Sequence, residues 1–71
     1  TIAIKGLVAN VSVRITDATG NLVRAVQANG GQAVWNGRNR SGQRVNSGVY
    51  YVYATDEQGN QTKVTKILVM N

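Results

Sequence analysis

Apolar and polar residues alternate along most of the chain, which is the pattern of β-strands with one buried face. The alternation is cleanest in residues 11–17, where Val11, Val13 and Ile15 face one way and polar side chains face the other. Apolar residues do not recur every three or four positions, so the pattern predicts no helix.

Five further strands are predicted, and the segments between them are rich in Gly, Asn and Asp. They cover residues 1–5, 21–27, 33–35, 49–54 and 61–70. The inward face of residues 21–27 is ambiguous, and residues 61–70 need a bulge near Thr65 and Lys66 to keep one face inward. Six or seven short strands with a turn about every ten residues indicate an all-β fold, either a sandwich or a small barrel.

Residues 33–55 hold the only tryptophan, Trp35, and all three tyrosines. Residues 49–54 are apolar on both faces, which is typical of a central strand. Trp35 lies on a short apolar strand, where tryptophan is more often part of the core than of a binding surface. We therefore expect the rest of the chain to pack around these two strands.

The composition limits the chemistry that the chain can carry. Without Cys or His it has no disulfide and no credible zinc or haem site, so we predict no metal and no cofactor. The three acidic residues, Asp17, Asp56 and Glu57, fall in predicted turns, and no His is present to activate a serine. We therefore predict that the chain is not an enzyme.

Length and hydropathy indicate how the chain is organised. Seventy-one residues, of which 42% are hydrophobic, suit one small folded domain. The chain has no apolar run of about 18 residues, so no membrane span is predicted. It begins at Thr1 and its only methionine is Met70, so we expect residues 1–71 to be a single domain of a larger protein.

The net charge of +5 suits an anionic partner, although it is first an argument about solubility. Arg38, Arg40 and Arg44 form a basic loop next to Trp35. They indicate either an anion-binding patch or a solvated loop over a buried tryptophan. No Lys/Arg-rich run or RNA-binding fingerprint accompanies them, so we predict no nucleic-acid partner.

Two other patterns have both a structural and a functional interpretation. Tyr51 and Tyr53 share one face of their strand, as in carbohydrate-binding sandwiches, but a half-buried sheet face gives the same pattern. Residues 63–71 are basic and apolar, and on their own they indicate only an edge or closing strand.

Four segments, taken in order, resemble a family pattern. Residues 11–23 are similar to a V-x-V-x-D-x-x-G-x-x-V hairpin and residues 34–37 to W-D-G, while residues 42–50 resemble G-x-x-V-x-x-G-V-Y and residues 66–70 a terminal K-I-x-V. Together they resemble the C-terminal β-sandwich domain of type IX secretion cargo in Gram-negative bacteria. The immunoglobulin-like domain of the flagellar hook-capping protein shares the W-D-G and G-V-Y core. The first and last strands are also similar to the terminal domain of large surface β-propeller proteins.

The chain departs from this pattern at two places. Asn36 stands where W-D-G has Asp, and an asparagine can cap the turn but carries no charge there. The start of the chain also lacks the Asn-Pro opening that is common in cargo domains. The second departure favours a retained terminal module over a removable cargo signal.

The resemblance implies a small immunoglobulin-like β-sandwich of six or seven antiparallel strands without catalytic activity. Such a domain would be a folded sorting or surface-retention signal, recognised in the periplasm by proteins of the translocation machinery. Its parent would reach the outer-membrane surface or the medium. Recognition would fall on the last strand, through Lys63, Lys66, Ile67, Leu68, Val69 and Met70.

The likeness to propeller proteins implies a different role for the basic loop. In that setting the domain stays attached and binds an anionic lipopolysaccharide, with Arg38, Arg40 and Arg44 as the candidate residues. Two alternatives therefore stand beside the sorting signal: a ligand-binding module, and a purely structural spacer or capping domain.

Overall fold

The computed structural model describes residues 2–8 and 10–70, and the regular structure of these residues is all β. Its strands are β1 (Ile2–Ile4), β2 (Ser12–Thr16), β3 (Leu22–Gln27), β4 (Ala33–Trp35), β5 (Gly48–Thr55) and β6 (Gln61–Val69). Each matches its predicted counterpart to within one residue at each end, so the all-β prediction is confirmed. The predicted start of the first strand, Thr1, lies outside the described residues. Within those residues, no helix has the length and apolar character needed to cross a membrane.

The strands form two antiparallel sheets. The large sheet has the order β3-β2-β5-β6, and the small sheet pairs β1 with β4. The central position of β5, between β2 and β6, confirms the prediction drawn from its two apolar faces. The chain passes from the small sheet to the large sheet between β1 and β2, enters the small sheet again through β4, and returns to the large sheet at β5. The two layers of the immunoglobulin-like sandwich are therefore connected three times.

The register of the large sheet brings several connections to one end. Thr16 lies opposite Tyr51, and Gly48 lies opposite Val69. The carboxyl ends of β2 and β6 therefore meet the amino end of β5. The connection from β4 to β5, residues 36–47, arrives at the same end. We call this region, formed by residues 17–21, residues 36–47 and the carboxyl end of β6, the loop end.

One hydrophobic core joins the two sheets. Trp35 from the small sheet is only 1% exposed, and its ring meets that of Tyr50 edge-on, with 5.6 Å between ring centroids. The largest fully buried side chains of this core are those of Trp35, Ile15, Val13 and Val52. The prediction that Trp35 belongs to the core is therefore confirmed.

Two bulges explain the strands whose inward face was ambiguous. In β6, Thr65 pairs with Val52 and Lys63 with Tyr53, so Val64 is the additional residue. The predicted bulge is present, next to Thr65 on its other side. In β3, Arg24 pairs with Ile15 and Leu22 with Thr16, so Val23 is the additional residue there. Each bulge resets the alternation, which is why simple parity failed along both strands.

Three turns share one hydrogen-bond arrangement, centred on Asp17, Asn39 and Asp56. In each turn the side-chain Oδ1 accepts backbone N–H groups two and four residues later, at 2.9–3.0 Å. A glycine at the fourth position has positive φ and donates its N–H to the first carbonyl. The predicted role of Asp17 and Asp56 as turn-forming residues is confirmed by these contacts.

The crossing from β3 to β4, residues 28–32, contains a two-residue turn made by Gly30 and Gly31 between the paired residues Asn29 and Gln32. Both glycines have positive φ, 62° and 81°, as this tight hairpin turn requires. Leu7 donates its backbone N–H to the Gly31 carbonyl at 3.0 Å, which ties the segment after β1 to this turn. A Cβ atom on Gly31 would lie 2.9 Å from the Leu7 carbonyl oxygen, so only glycine fits without displacement.

Candidate functional site

The basic loop is a small folded hairpin anchored to the core. Trp35 Nε1 donates to the Arg38 carbonyl at 3.0 Å, and Asn36 Oδ1 accepts the Arg38 N–H at 3.1 Å. Arg38 and Arg44 then form an isolated antiparallel bridge, which the Asn39 turn closes. The expectation that Asn36 caps its turn without a charge is confirmed by this contact.

The three predicted arginines do not act alike. Arg38 Nη1 donates to the Gly42 carbonyl at 2.9 Å, so its guanidinium is used within the loop. Arg40 and Arg44 both line an open pocket, which Asp17 also lines. The structure therefore brings two of the three predicted anion-binding residues to one concavity, while the third stabilises the loop. The anion-binding assignment itself stays a prediction.

Arg24 of β3, which was not among the predicted site residues, contacts the basic loop. It pairs with buried Ile15 and so lies on the inward face of β3 beside the bulge at Val23. Its Nη1 donates to the Asn39 carbonyl at 3.3 Å. This role could not be predicted because the inward face of β3 was ambiguous, and only the pairing of Arg24 with Ile15 of β2 shows that Arg24 lies on it.

A second support comes from Tyr50, whose Oη donates to the Asn46 carbonyl at 2.7 Å. Tyr50 is 8% exposed, so this bond ties the end of the basic loop to the core. The loop is thus held at both ends by aromatic side chains, because Trp35 fixes its start in the same way.

The basic loop and the carboxyl end of β6 share a groove. Ile2, Asn36 and Arg44 line it together with Leu68 and Met70. Leu68 is 66% exposed and Met70 is 79% exposed. Part of each predicted set of site residues therefore meets at the loop end. Arg44 comes from the basic loop and lines both pockets, and Leu68 and Met70 come from the carboxyl end of β6.

The predicted recognition residues of β6 divide between two faces of the sheet. Ile67 lies opposite buried Tyr50, and both Ile67 and Val69 pack against the core. Their side chains are therefore directed into the sandwich, and only their backbone lies at the edge of the large sheet. Leu68 lies opposite Val49 on the other face, and Met70 follows the strand.

Lys63 and Lys66 project from the face of the large sheet that points away from the core. They lie opposite Tyr53 and Tyr51, and directly opposed residues share a face. Arg14, between buried Val13 and Ile15 in β2, also lies opposite Tyr53. We call this surface the outer face, and it carries Arg14, Tyr51, Tyr53, Lys63 and Lys66.

Cations and tyrosines interleave on the outer face. Lys63 Nζ lies 4.5 Å from the centroid of the Tyr51 ring, a cation–π contact. Tyr51 and Tyr53 are both half-buried, in agreement with the structural interpretation of this pair. The outward position of Arg14 was predictable from alternation, but its nearness to Lys63 depends on strand order, which the sequence does not reveal.

The two turn aspartates are poor candidates for proton transfer. Hydrogen bonds from the Thr19 side chain and the Asn21 backbone lower the pKa of Asp17, and the backbone N–H of Asn60 does the same for Asp56. Both carboxylates are therefore ionised acceptors that organise their turns. Among the described residues, no group of three or more acidic, His or Cys side chains is placed to hold a metal ion.

Known proteins resemble this chain in family and in fold. The FlgD Ig-like domain family matches residues 1–60. Among solved structures, PorZ of Porphyromonas gingivalis, an essential surface component of that bacterium's type IX secretion system, matches with 36% sequence identity and a TM-score of 0.77. The match covers 97% of this chain but only 9% of PorZ. No curated protein matches the chain.

Proposed function

The chain belongs to the FlgD Ig-like domain family, and from that premise we propose that it is a non-catalytic module of a type IX secretion component. The observation that carries the proposal is the likeness to PorZ, at 36% identity over 97% of the chain. Immunoglobulin-like sandwiches serve many functions, so the fold alone would not support a shared system. Identity at this level across nearly the whole module supports a closer relationship.

In this proposal the module is the C-terminal domain of a larger protein and serves as a folded sorting or surface-retention signal. Proteins of the translocation machinery recognise it in the periplasm, and the parent then reaches the outer-membrane surface or the medium. The exposure of Leu68 and Met70, 66% and 79%, supports recognition at the end of β6. β6 is also an edge strand, and the unpaired backbone of an edge can accept another chain.

Two variants of the full-length parent test this role. Deletion of residues 66–71 removes the end of β6, and the parent should then accumulate in the periplasm. Because Ile67 and Val69 pack on the core, the deletion could also unfold the domain. The second variant, Leu68→Glu with Met70→Glu, keeps the chain length and changes only exposed side chains.

A matched control is Glu57→Ala with Gln58→Ala, two exposed positions in the turn at the opposite end of the large sheet. The proposal predicts periplasmic retention for both variants of the β6 end and normal surface display for the control. Normal display of both β6 variants would refute it.

A second candidate function is binding of an anionic lipopolysaccharide at the basic loop. Arg40 and Arg44 line one pocket, which favours this reading, whereas the Arg38 guanidinium is already used by Gly42. Titration of the chain with lipopolysaccharide should therefore weaken strongly for Arg40→Gln with Arg44→Gln and little for Arg38→Gln. Binding that is unchanged in the double variant removes this candidate.

A further inference from the structure

The outer face concentrates positive charge without local compensation. Arg14, Tyr53 and Lys63 form one row across three neighbouring strands, and Tyr51 and Lys66 form part of the next. Strands are spaced about 4.8 Å apart, so a row of three residues spans roughly 10 Å. The only acidic residues of the chain, Asp17, Asp56 and Glu57, all lie in turns. The cations of this face therefore have no carboxylate beside them on any strand.

The same face also offers apolar and polar contacts. Val49 and Leu68 form a cross-strand pair at its loop end, and they are 37% and 66% exposed. Arg14 and Tyr53 are among the residues that line an open pocket. Thr16 lines this pocket, and its buried hydroxyl has no hydrogen-bond partner. Tyrosine and arginine are among the residue types enriched at the energetic centres of protein interfaces.

We infer that the outer face is a docking surface for a polypeptide segment that presents carboxylates between apolar side chains. The carboxylates pair with Arg14, Lys63 and Lys66, and the apolar side chains pack on Tyr53 and on the pair of Val49 and Leu68. The inference rests on the proposed function in one respect, because it takes the partner to be a protein of the secretion machinery.

Three observations favour a polypeptide over an acidic glycan. The aliphatic pair of Val49 and Leu68 suits apolar side chains, whereas sugar rings stack on aromatic faces. One such face, on Tyr51, is already covered by Lys63 at 4.5 Å. The free edge of β6 runs along the same surface, and its backbone groups can pair with a second chain.

The inference changes how the lysines of β6 are used. The side chains of Lys63 and Lys66 do not lie along the free edge of β6, where an additional strand would pair. They share the outer face with Tyr53 and Tyr51. A partner that pairs with them approaches from the open side of the sheet. Positions on three strands then contribute to one surface, of which β6 supplies only the border.

The test is a titration of the isotope-labelled 71-residue chain, followed by the chemical shifts of its backbone amides. The probe is a seven-residue peptide of alternating Glu and Leu, blocked at both ends. A peptide with Gln in place of every Glu controls for charge, and trigalacturonate represents acidic glycans. The titration is run at about 20 mM and about 200 mM NaCl, because exposed charge pairs are screened by salt.

Two variants with matched charge separate the outer face from the basic loop. Arg14→Gln, Lys63→Gln and Lys66→Gln change the outer face, while Arg38→Gln, Arg40→Gln and Arg44→Gln change the loop. Each set removes three positive charges and lowers the net charge from +5 to +2. Non-specific attraction is therefore reduced equally in the two variants. A thermal melt of each variant checks that it remains folded.

The inference predicts shifts that cluster in β2, β5 and β6 with the Glu peptide and are absent with the Gln peptide. The outer-face variant should bind the Glu peptide at least about tenfold more weakly than the unsubstituted chain does. The affinity of the loop variant should stay within about threefold of that of the unsubstituted chain. Equal weakening in both variants, or no shifts at the lower salt, would overturn it. Tighter binding of trigalacturonate to the same face would overturn it in favour of a glycan. None of these results depends on export in cells, so the inference can fail while the proposed function stands.

Discussion

The turn between β3 and β4 allows a sharp test, because its two glycines have the same backbone requirement but different surroundings. Gly30 and Gly31 both have positive φ. A Cβ atom on Gly30 would meet open space, whereas one on Gly31 would lie 2.9 Å from the Leu7 carbonyl oxygen. Gly30→Ala therefore measures the backbone strain alone. Gly31→Ala adds the close approach of the segment that follows β1.

The expected magnitudes follow from these contacts. An L-residue in the left-handed region is strained by about 1–2 kcal/mol, and alanine offsets part of this by restricting the unfolded chain, so Gly30→Ala should cost about 1 kcal/mol. Gly31→Ala should also disrupt the hydrogen bond from Leu7, worth about 1 kcal/mol, so its total should reach about 2–3 kcal/mol. A domain of this size is stable by only about 4–10 kcal/mol.

Chemical denaturation of the two variants and of the unsubstituted chain measures this difference in the free energy of unfolding, and thermal melts provide a second readout. At about 4–8 °C per kcal/mol, Gly31→Ala should lower the Tm by about 8–24 °C and Gly30→Ala by about 4–8 °C. Equal losses in the two variants, or a larger loss for Gly30→Ala, would show that the Leu7 carbonyl does not restrict this position.

Two further predictions concern the loop anchor and the turns. Tyr50→Phe should lower the free energy of unfolding by about 0.5–1.5 kcal/mol in chemical denaturation, because the Oη hydrogen bond is lost, whereas Tyr53→Phe should change it little; equal losses would contradict this. Since the folded-state pKa values of Asp17 and Asp56 are lowered, their stabilisation is present above the unfolded pKa near about 4 and is lost as pH falls through the folded values. The variant Asp17→Asn with Asp56→Asn should lose less stability than the unsubstituted chain between about pH 5 and pH 2, because an amide does not titrate in this range. Asn39 shows that an amide can hold the same turn. An identical loss in both proteins would contradict the assignment.

Much of the fold could be predicted because short stretches of neighbouring residues determine it. Alternation placed β2, glycine with Asp or Asn marked the turns, and the two apolar faces of β5 predicted its central position. These signals need only neighbouring residues. The burial of Trp35 followed from its place on an apolar strand, and its low exposure in the structure agrees.

The rest depended on pairing between distant segments. Parity along β6 cannot show that Ile67 packs inward while Lys66 and Leu68 project outward, because the bulge at Val64 is fixed by pairing with β5. The inward position of Arg24 also depends on pairing, because it lies opposite buried Ile15 of β2. Likewise, the basic loop and the end of β6 meet only because the sheet order brings the carboxyl end of β6 beside the amino end of β5.

The division of the predicted recognition residues has a functional consequence. If β6 were regarded only as an edge strand, every residue from Lys66 onward would be an equally good candidate for contact with a partner. The structure instead separates side chains that stabilise the sandwich from those that a partner can reach, Leu68 and Met70 among them. A loss of export after truncation would therefore mix unfolding with lost recognition, which is why substitutions of exposed side chains are the more informative experiment.

The central proposal is that these residues form a folded sorting or surface-retention signal of a type IX secretion component. The most direct measurement joins residues 1–71 to the C-terminus of a periplasm-directed fluorescent protein, in a host that carries the secretion system. The account predicts fluorescence at the cell surface or in the medium, and its loss when Leu68→Glu and Met70→Glu are introduced. Fluorescence that stays in the periplasm, with the domain shown to be folded, would contradict it.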